Sequence, residues 1–285
     1  MSARETFGHH CGVCGERAAL WKVVDGIEFT DCPECECIAM ASAKLMLVDT
    51  GKFERQYDPH YWNEELPAAR ERSWGATLAR AAEAILLCRR PVERFLDVAS
   101  GPGYLLDSLN YYLPSSSGRF YGVERFPPAE HTQHSGFITG SVGELSGNYD
   151  CGVCIEVIEH LTPLMLRQLA RELAWVSEPN SLFIFNTGLS EFVRQHSPEY
   201  IDPLRRGHII SWGFPALVEI FSGEGFKVRK LGTRQWAFAV EYLPDSDISI
   251  NDRIWSPLDH NYRILNDPQT GLAMYIIARE SLRAE

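Results

Sequence analysis

The 285-residue chain has no apolar run approaching the ~20 residues of a membrane span, and its opening, MSARETFGHHC, has no hydrophobic segment of the kind a secretion signal needs. A cytoplasmic protein with no membrane partner is therefore expected. A surplus of positive charge is also missing: 27 Lys and Arg stand against 38 Asp and Glu, a formal net charge of −11. That balance argues against a domain whose affinity comes mainly from neutralising phosphates, so nucleic acid is not the default partner. No internal repeat or low-complexity tract interrupts the chain. What is present is ordinary for a globular protein, 45% apolar and 23% charged residues. The length suits one well-buried α/β core with a small appendage, or two modest domains.

Eight cysteines fit a reducing compartment only if they are not a disulfide framework, so their spacing matters. Cys11, Cys14, Cys32 and Cys35 form C-x2-C-x17-C-x2-C. Each pair makes a knuckle whose thiolates converge on one metal, and a turn or hairpin between the pairs brings the knuckles together, which suits a structural, tetrahedral Zn(II). Gly12, Gly15 and Pro33 supply the backbone shapes. Cys37 is a spare ligand, and His9 or His10 a substitute for Cys11. Without metal the segment has too small an apolar core to fold alone. Cys151 and Cys154 repeat the spacing inside YDCGVCIEV, an apolar strand pattern in which positions i and i+3 point to opposite faces. They are expected to be core residues, as is Cys88.

The chain then divides into a zinc module over 1–50, a helical linker or lid over 51–92, and one domain over 93–285. The linker carries Tyr57, Tyr61 and Trp62, then a helical spacing of Leu78, Ala82, Ile85 and Leu86 that ends by Pro91. From residue 93, RFLDVA, RFYGVE, GFITG, YDCGVCIEV and SLFIFNTG read as strands. YLLDSLNYYL, TPLMLRQLARELAWVS and FPALVEIFSGEG read as helices, the second with Thr162 as N-cap and Pro163 at its first position. GFKVRKLG and LAMYIIAR read as the last two strands. Such alternation predicts an α/β fold, a parallel sheet covered on both faces. Residues 232–272 break the rhythm and read as an insertion, a lid or substrate wall. Its Trp236, Tyr242, Trp255, His260 and Tyr262 either line a pocket or form a small core of their own.

DVASGPGYLL, residues 97–106, places backbone against a ligand at the carboxyl edge of the sheet: a strand ends at Asp97, and Gly101 and Gly103 open a helix. Leu106 stands where a dinucleotide fingerprint needs its third glycine, which counts against NAD or FAD. The next strand ends at Glu124, where an acid can accept both hydroxyls of a ribose. A nucleoside cofactor without a pyrophosphate remains.

The runs FLDVASGPG, YGVE, YDCGVCIEVIEHL and GHIISWGFPALVEIFSGEGFKV resemble the class I S-adenosylmethionine-dependent methyltransferases. Among these the chain looks most like the group with an N-terminal zinc ribbon and a Tyr/Trp-rich linker, many of which modify sugars or other small metabolites. The resemblance implies a Rossmann-like seven-stranded sheet, mostly parallel with its last strand antiparallel, helices on both faces, and the small ribbon in front. It further implies that Asp97 orients the methionine end of the cofactor, that Gly101 and Gly103 form the glycine turn, and that Glu124 holds the ribose. Ala99 replaces the first glycine of the family pattern, a change that costs little if its φ stays negative. Ser141 stands where an Asp often meets the adenine amino group and can still accept one hydrogen bond, with Val142 stacking on the ring. Glu156 completes the cofactor-binding set.

Methyl transfer to a hydroxyl or an activated carbon also needs a base. Glu159 and His160, after the fourth strand, and His208, in RRGHIISW after the fifth, are the candidates, the imidazoles having the right pKa range. Against this stands a bland reading in which Glu159 and His160 merely cap the following helix. Glu156, Glu159, His160 and His208 are also similar to the metal-binding set of the small-RNA 3′-end 2′-O-methyltransferases, so a second divalent metal and an RNA acceptor form an alternative that the acidic charge disfavours. Zinc-ribbon rRNA base methyltransferases, whose fourth zinc ligand is usually a histidine, and a non-catalytic zinc-ribbon adaptor are further alternatives. The zinc ribbon either docks a carrier or partner protein or walls the substrate site. The acceptor atom and the oligomeric state stay open.

Overall fold

The computed structural model describes residues 9–53, 59–232 and 235–283, without the side chains of 59–62 and 64. In chain order the first elements are β1 (His9–His10), β2 (Arg17–Val24), β3 (Ile27–Asp31), β4 (Ile38–Met40), α1 (Ser42–Asp49), α2 (Pro59–Ser73) and α3 (Ala76–Leu87). There follow β5 (Phe95–Val98), α4 (Tyr104–Tyr112), β6 (Phe120–Glu124), β7 (Phe137–Thr139), β8 (Tyr149–Ile155), α5 (Pro163–Trp175), β9 (Ser177–Asn186) and α6 (Ser190–Gln195). The last are β10 (Ile210–Ser211), α7 (Phe214–Ser222), β11 (Phe226–Lys230), β12 (Ala237–Tyr242), α8 (Ile250–Trp255), α9 (Asp259–Leu265) and α10 (Ala273–Arg283). They gather into two compact units, one of residues 57–155, 171–186 and 224–285, the other of residues 1–56, 156–170 and 187–223.

The larger unit is built on a seven-stranded sheet ordered β11-β12-β9-β8-β5-β6-β7. β5 through β9 run parallel, and β12 is antiparallel to both of its neighbours. This is the Rossmann-like methyltransferase sheet expected from the resemblance. Its central strands β5 and β8 and the second half of β9 are buried on both faces, as a parallel sheet requires. One face presents Phe95, Cys151, Val153, Leu182, Ile184 and Ala239 to the core that contains α3. The alternating row, Leu96, Cys154, Phe183, Phe185 and Phe238, is equally buried. Cys151 and Cys154 therefore sit in the core on opposite faces, and Cys88 is buried with them.

Two elements differ from the sequence reading. LAMYIIAR is not a strand: α10 occupies it, with Met274 and Ala278 buried one helical turn apart. A short apolar run fits either period, and here no turn residue separates it from the helix-forming RESLR. The seventh strand is AFAVEY, inside the stretch expected to be an insertion. Residues 232–272 thus complete the sheet and then form α8 and α9, whose Ile250, Ile254, Ile264 and Leu265 join the core around α3. Arg253 of α8, fully buried, fixes this arrangement through a bidentate pair with Glu241 of β12, Nη1 to Oε1 at 2.7 Å and Nη2 to Oε2 at 3.0 Å. Tyr242 packs on Phe226, and Tyr262 on Tyr275, as members of this packing. α3, expected in a linker or lid, is a core helix in which Ala84, Ile85 and Leu87 are wholly buried.

The smaller unit carries a five-stranded sheet ordered β1-β2-β3-β4-β10. β2, β3 and β4 form the antiparallel ribbon expected in the first 50 residues. The fifth strand, β10, comes from far along the chain and pairs antiparallel with β4, Ile210 against Ala39 and Ser211 against Ile38. Thr162 caps α5, its Oγ1 accepting the Met165 amide at 3.2 Å.

Candidate functional site

β5 delivers Asp97 and β6 delivers Glu124, the two acids expected at a cofactor cradle, and both belong to the larger unit. Glu124 closes the turn between them: its Oε2 accepts the Gly101 amide at 2.9 Å and its Oε1 the Phe126 amide at 2.8 Å. Each carboxylate oxygen keeps a lone pair, so the capacity to accept ribose hydroxyls remains. Gly101 has φ +55°, and nothing lies within 4 Å of where a Cβ would stand, so the turn borders open space. Gly103, φ +72°, is required for a different reason: a Cβ there would meet Thr132 Cγ2 at 2.4 Å. Asp97 is buried, and burial together with the neighbouring Glu124 charge pushes its carboxyl up to about 8. A cationic ligand group beside it would reverse that shift.

Ala99 departs from expectation. Its φ is +53°, in the left-handed region, so the condition under which alanine costs little is not met and the turn stores strain of about 1 kcal/mol. Ser141 donates from Oγ and N to Glu144 Oε2, at 2.8 and 2.7 Å, in a capping box whose return bond from the Glu144 amide leaves the hydroxyl one lone pair, and Val142 beside it is buried. Ser100 was not legible in the sequence as a site residue. Its Oγ is buried without a hydrogen-bond partner among the described residues, at the turn that Gly101 leaves open. An orphaned hydroxyl, an open glycine turn and an acid with spare lone pairs fit a nucleoside bearing an amino-acid tail.

The second cluster lies in the smaller unit. Glu156 follows the last residue of β8 with φ +54°. Glu159 is wholly buried, accepts from Thr187 Oγ1 at 3.1 Å through Oε2, and leaves Oε1 without a hydrogen-bond partner among the described residues. Burial, then the Glu156 charge, raises the Glu159 carboxyl well above the ordinary range. His208 Nδ1 bonds the Tyr200 carbonyl at 2.7 Å and His160 Nδ1 the Gly207 carbonyl at 3.0 Å. A carbonyl only accepts, so both Nδ1 atoms carry a proton, and in a neutral imidazole so held the lone pair belongs to Nε2. His208 Nε2 stands 3.9 Å from Glu159 Oε1, and the two rings meet edge to face at 5.0 Å. Ligand atoms of Glu159, His160 and His208 all lie within 4.8 Å of one another. Thr162 rather than Glu159 or His160 caps the next helix, while Glu159 and His160 hold the 207–209 loop through the Ile209 amide and the Gly207 carbonyl.

Tyr200, which the sequence reading missed, ties the cluster together. Its ring packs on His208 at 4.4 Å. Its hydroxyl accepts the Gly188 amide at 2.9 Å and stands 3.5 Å from Glu156 Oε2. Glu156 therefore groups with Glu159 and Tyr200. Tertiary contact alone brings Tyr200 to these acids, and no local spacing announces it.

Cys11, Cys14, Cys32 and Cys35 converge as expected, their Sγ atoms within 4.8 Å of one another. The Cys11–Cys35 and Cys14–Cys32 separations are both 3.5 Å, near the roughly 3.8 Å edge of a tetrahedron with Zn–S bonds of about 2.3 Å. Val13 N donates to Cys11 Sγ at 3.3 Å, as in a thiolate knuckle. The four residues fit zinc. Cys37 is not among the converging sulfurs; its Sγ donates to the Cys35 carbonyl at 3.6 Å and accepts the Gly213 amide at 3.2 Å. His10 and His9 are engaged elsewhere, with the Gly15 carbonyl and Glu28. Tyr57 and the side chains of Tyr61 and Trp62 lie outside the described residues.

With the sheet and the cradle in view, comparison with known proteins names the class. A methyltransferase-domain family matches residues 66–231, more than half of the 285 residues. The chain belongs to that family and is an S-adenosylmethionine-dependent methyltransferase. None of the curated proteins matches its sequence. Solved structures share the fold at low identity. One is the methyltransferase in the complex with the Haloferax volcanii Trm112 methyltransferase activator, at 18% identity and TM-score 0.46, covering 67% of this chain and 99% of that one. Another is S-adenosylmethionine-bound CalS10, an amino pentose methyltransferase from Micromonospora echinaspora, at 17% and 0.44, covering 66% and 99%. A third is the methyltransferase domain of bacterial CtHen1, at 18% and 0.38, covering 54% and 91%. No helix among the described residues is long and apolar enough to cross a membrane.

Proposed function

We propose that the protein methylates a small-molecule acceptor, such as a sugar or a secondary metabolite, with zinc held by Cys11, Cys14, Cys32 and Cys35 as a structural ion. The bond from Gly101 N to Glu124 Oε2 carries the cofactor part of this reading: it holds the turn open and leaves Glu124 free to take the ribose hydroxyls. Asp97 holds the methionine ammonium and is ionised by it, while Ser141 and Val142 take the adenine. S-adenosylmethionine supplies the electrophilic methyl group. Within the smaller unit, His160, half-exposed and with Nδ1 on the Gly207 carbonyl, is the candidate base. His208, buried and fixed by the Tyr200 carbonyl, holds the pair with Glu159 in register. The net charge of −11 favours a small acceptor over nucleic acid.

A second reading has one observation in its favour. One ring nitrogen each of His160 and His208 and a carboxylate oxygen of Glu159 lie within 4.8 Å of one another, a donor set suited to Mn(II), Mg(II) or Zn(II). A metal there would grip vicinal hydroxyls, of a sugar or of an RNA 3′ end. Labelled cofactor, offered with a metabolite panel and with single-stranded RNA, each with and without added Mn(II) or Mg(II), separates the readings. Transfer to a metabolite that does not need the added ion supports the first. Transfer to RNA that depends on the added ion overturns it.

A further inference from the structure

Main-chain bonds run from the ribbon to the histidine cluster, all within the smaller unit. Met40 N donates to the Ile209 carbonyl at 3.1 Å, and Ile209 N donates to the Glu159 carbonyl at 2.9 Å. Ile209, the residue after His208, is thus bonded to the ribbon on one side and to the carboxyl-bearing turn on the other. Three residues beyond β4's partner strand begins, the contact becomes closer. Gly213 N donates to Cys37 Sγ, and a Cβ on Gly213 would stand 2.2 Å from the Cys35 carbonyl oxygen and 2.5 Å from the Glu36 carbonyl carbon. The backbone of the second knuckle lies directly on this glycine. Arg194 closes the arrangement, with Nε and Nη2 on the Asp31 carboxylate at 2.9 and 2.5 Å and Nη2 on the Glu36 carbonyl at 2.7 Å. Trp212 Nε1 donates to the Ile158 carbonyl at 2.7 Å, beside Glu159.

We propose that the cysteine ribbon is the positioning element of the histidine cluster. The knuckle of Cys35, acting through Cys37 and Gly213, sets where His208 stands against Glu159, and loss of zinc loosens residues 208–213. Cys37 and Gly213 are positioning residues. The physical reason is local: four thiolate bonds would fix the knuckle, and its backbone lies so close to Gly213 that there is no room even for a Cβ, which leaves little slack through which displacement could be absorbed. Coupling of this kind is reciprocal, so crowding at Gly213 must weaken the hold on zinc. The inference rests on the cysteines holding zinc. It does not depend on which imidazole takes the proton.

The test uses the full chain, purified with its metal, and follows hydrogen exchange by mass spectrometry while a zinc chelator is titrated. As zinc leaves, exchange over 209–213 is expected to quicken roughly tenfold or more, with β5 unchanged. Unchanged exchange over 209–213 after the metal has gone overturns the proposal. Zinc loss can also unfold the ribbon outright, so a pair of variants is measured with metal in place. Cys37→Ala, which removes the Gly213 acceptor, should speed exchange over 209–213 and lower kcat while leaving S-adenosylmethionine affinity unchanged, and Cys37→Ser should recover part of both. Wild-type behaviour of Cys37→Ala, or a serine variant no better than alanine, overturns the positioning role. A purified chain without zinc would instead fail the zinc assignment, and the two Cys37 variants would then decide the clamp alone.

Discussion

The Gly101 amide donates to Glu124 Oε2 at 2.9 Å and the Phe126 amide to Oε1 at 2.8 Å, so one carboxylate ties the glycine turn to the end of β6. Replacing it by alanine removes the turn's support and the ribose acceptor together. Glu124→Ala should weaken S-adenosylmethionine binding by about 10- to 100-fold, the scale of one or two charge-assisted hydrogen bonds. Isothermal titration measures it, and wild-type affinity would show that the acid has no part in the cofactor site.

Ala99 holds φ +53°, a conformation in which a Cβ is strained and a glycine is not. Ala99→Gly should stabilise the protein by up to about 0.6 kcal/mol after the added freedom of the unfolded chain is deducted. A thermal or denaturant unfolding series reads this, and a lower midpoint would place the strain elsewhere.

How far the sequence exposes this site depends on what each residue needs from its neighbours. Asp97, Gly101, Gly103 and Glu124 are legible because strand ends and a glycine turn are local signals, and the four cysteines because a knuckle is encoded in C-x-x-C. The sign of φ at Ala99 is not legible, since nothing in an alanine announces a left-handed turn. Tyr200 joins Glu156 and His208 only through tertiary contact. β10, two residues long, has no period to detect. AFAVEY and LAMYIIAR are both short apolar runs, and only the packing of Met274 and Ala278 against the core decides that the second is helical.

Asp97 gives the protein a pH dependence whose sign is fixed. Its folded carboxyl, at about 8, lies above the ~3.9 of an unfolded chain, so the folded state binds a proton that the unfolded state releases. Its contribution is complete below about pH 4 and is lost as pH rises through 8, and stability falls across that window. Asp97→Asn should flatten this part of the profile. Cofactor binding near pH 7 should release most of a proton, seen as a buffer-dependent heat in calorimetry, and a buffer-independent heat would contradict ionisation of Asp97 by the ligand.

His160 and His208 should separate in their kinetics from the cradle residues. His160→Asn is expected to lower kcat by about 10²- to 10⁴-fold, the range of general-base catalysis, with cofactor affinity unchanged. Unimpaired turnover would remove His160 as the base and move the role to His208, or to a metal between them.

Elemental analysis of the purified chain should find about one zinc per chain, and Cys11→Ser or Cys32→Ser should lower that content while destabilising the smaller unit. A metal content below about half an equivalent would count against a zinc ribbon.

The most direct measurement is a calorimetric titration of the full chain with S-adenosylmethionine, run beside Glu124→Ala. One molecule of cofactor should bind per chain with a clear heat and a rise in Tm, both reduced in the variant. A titration with no heat and no thermal shift would contradict the assignment of residues 97–103 and Glu124 as the methyl-donor site.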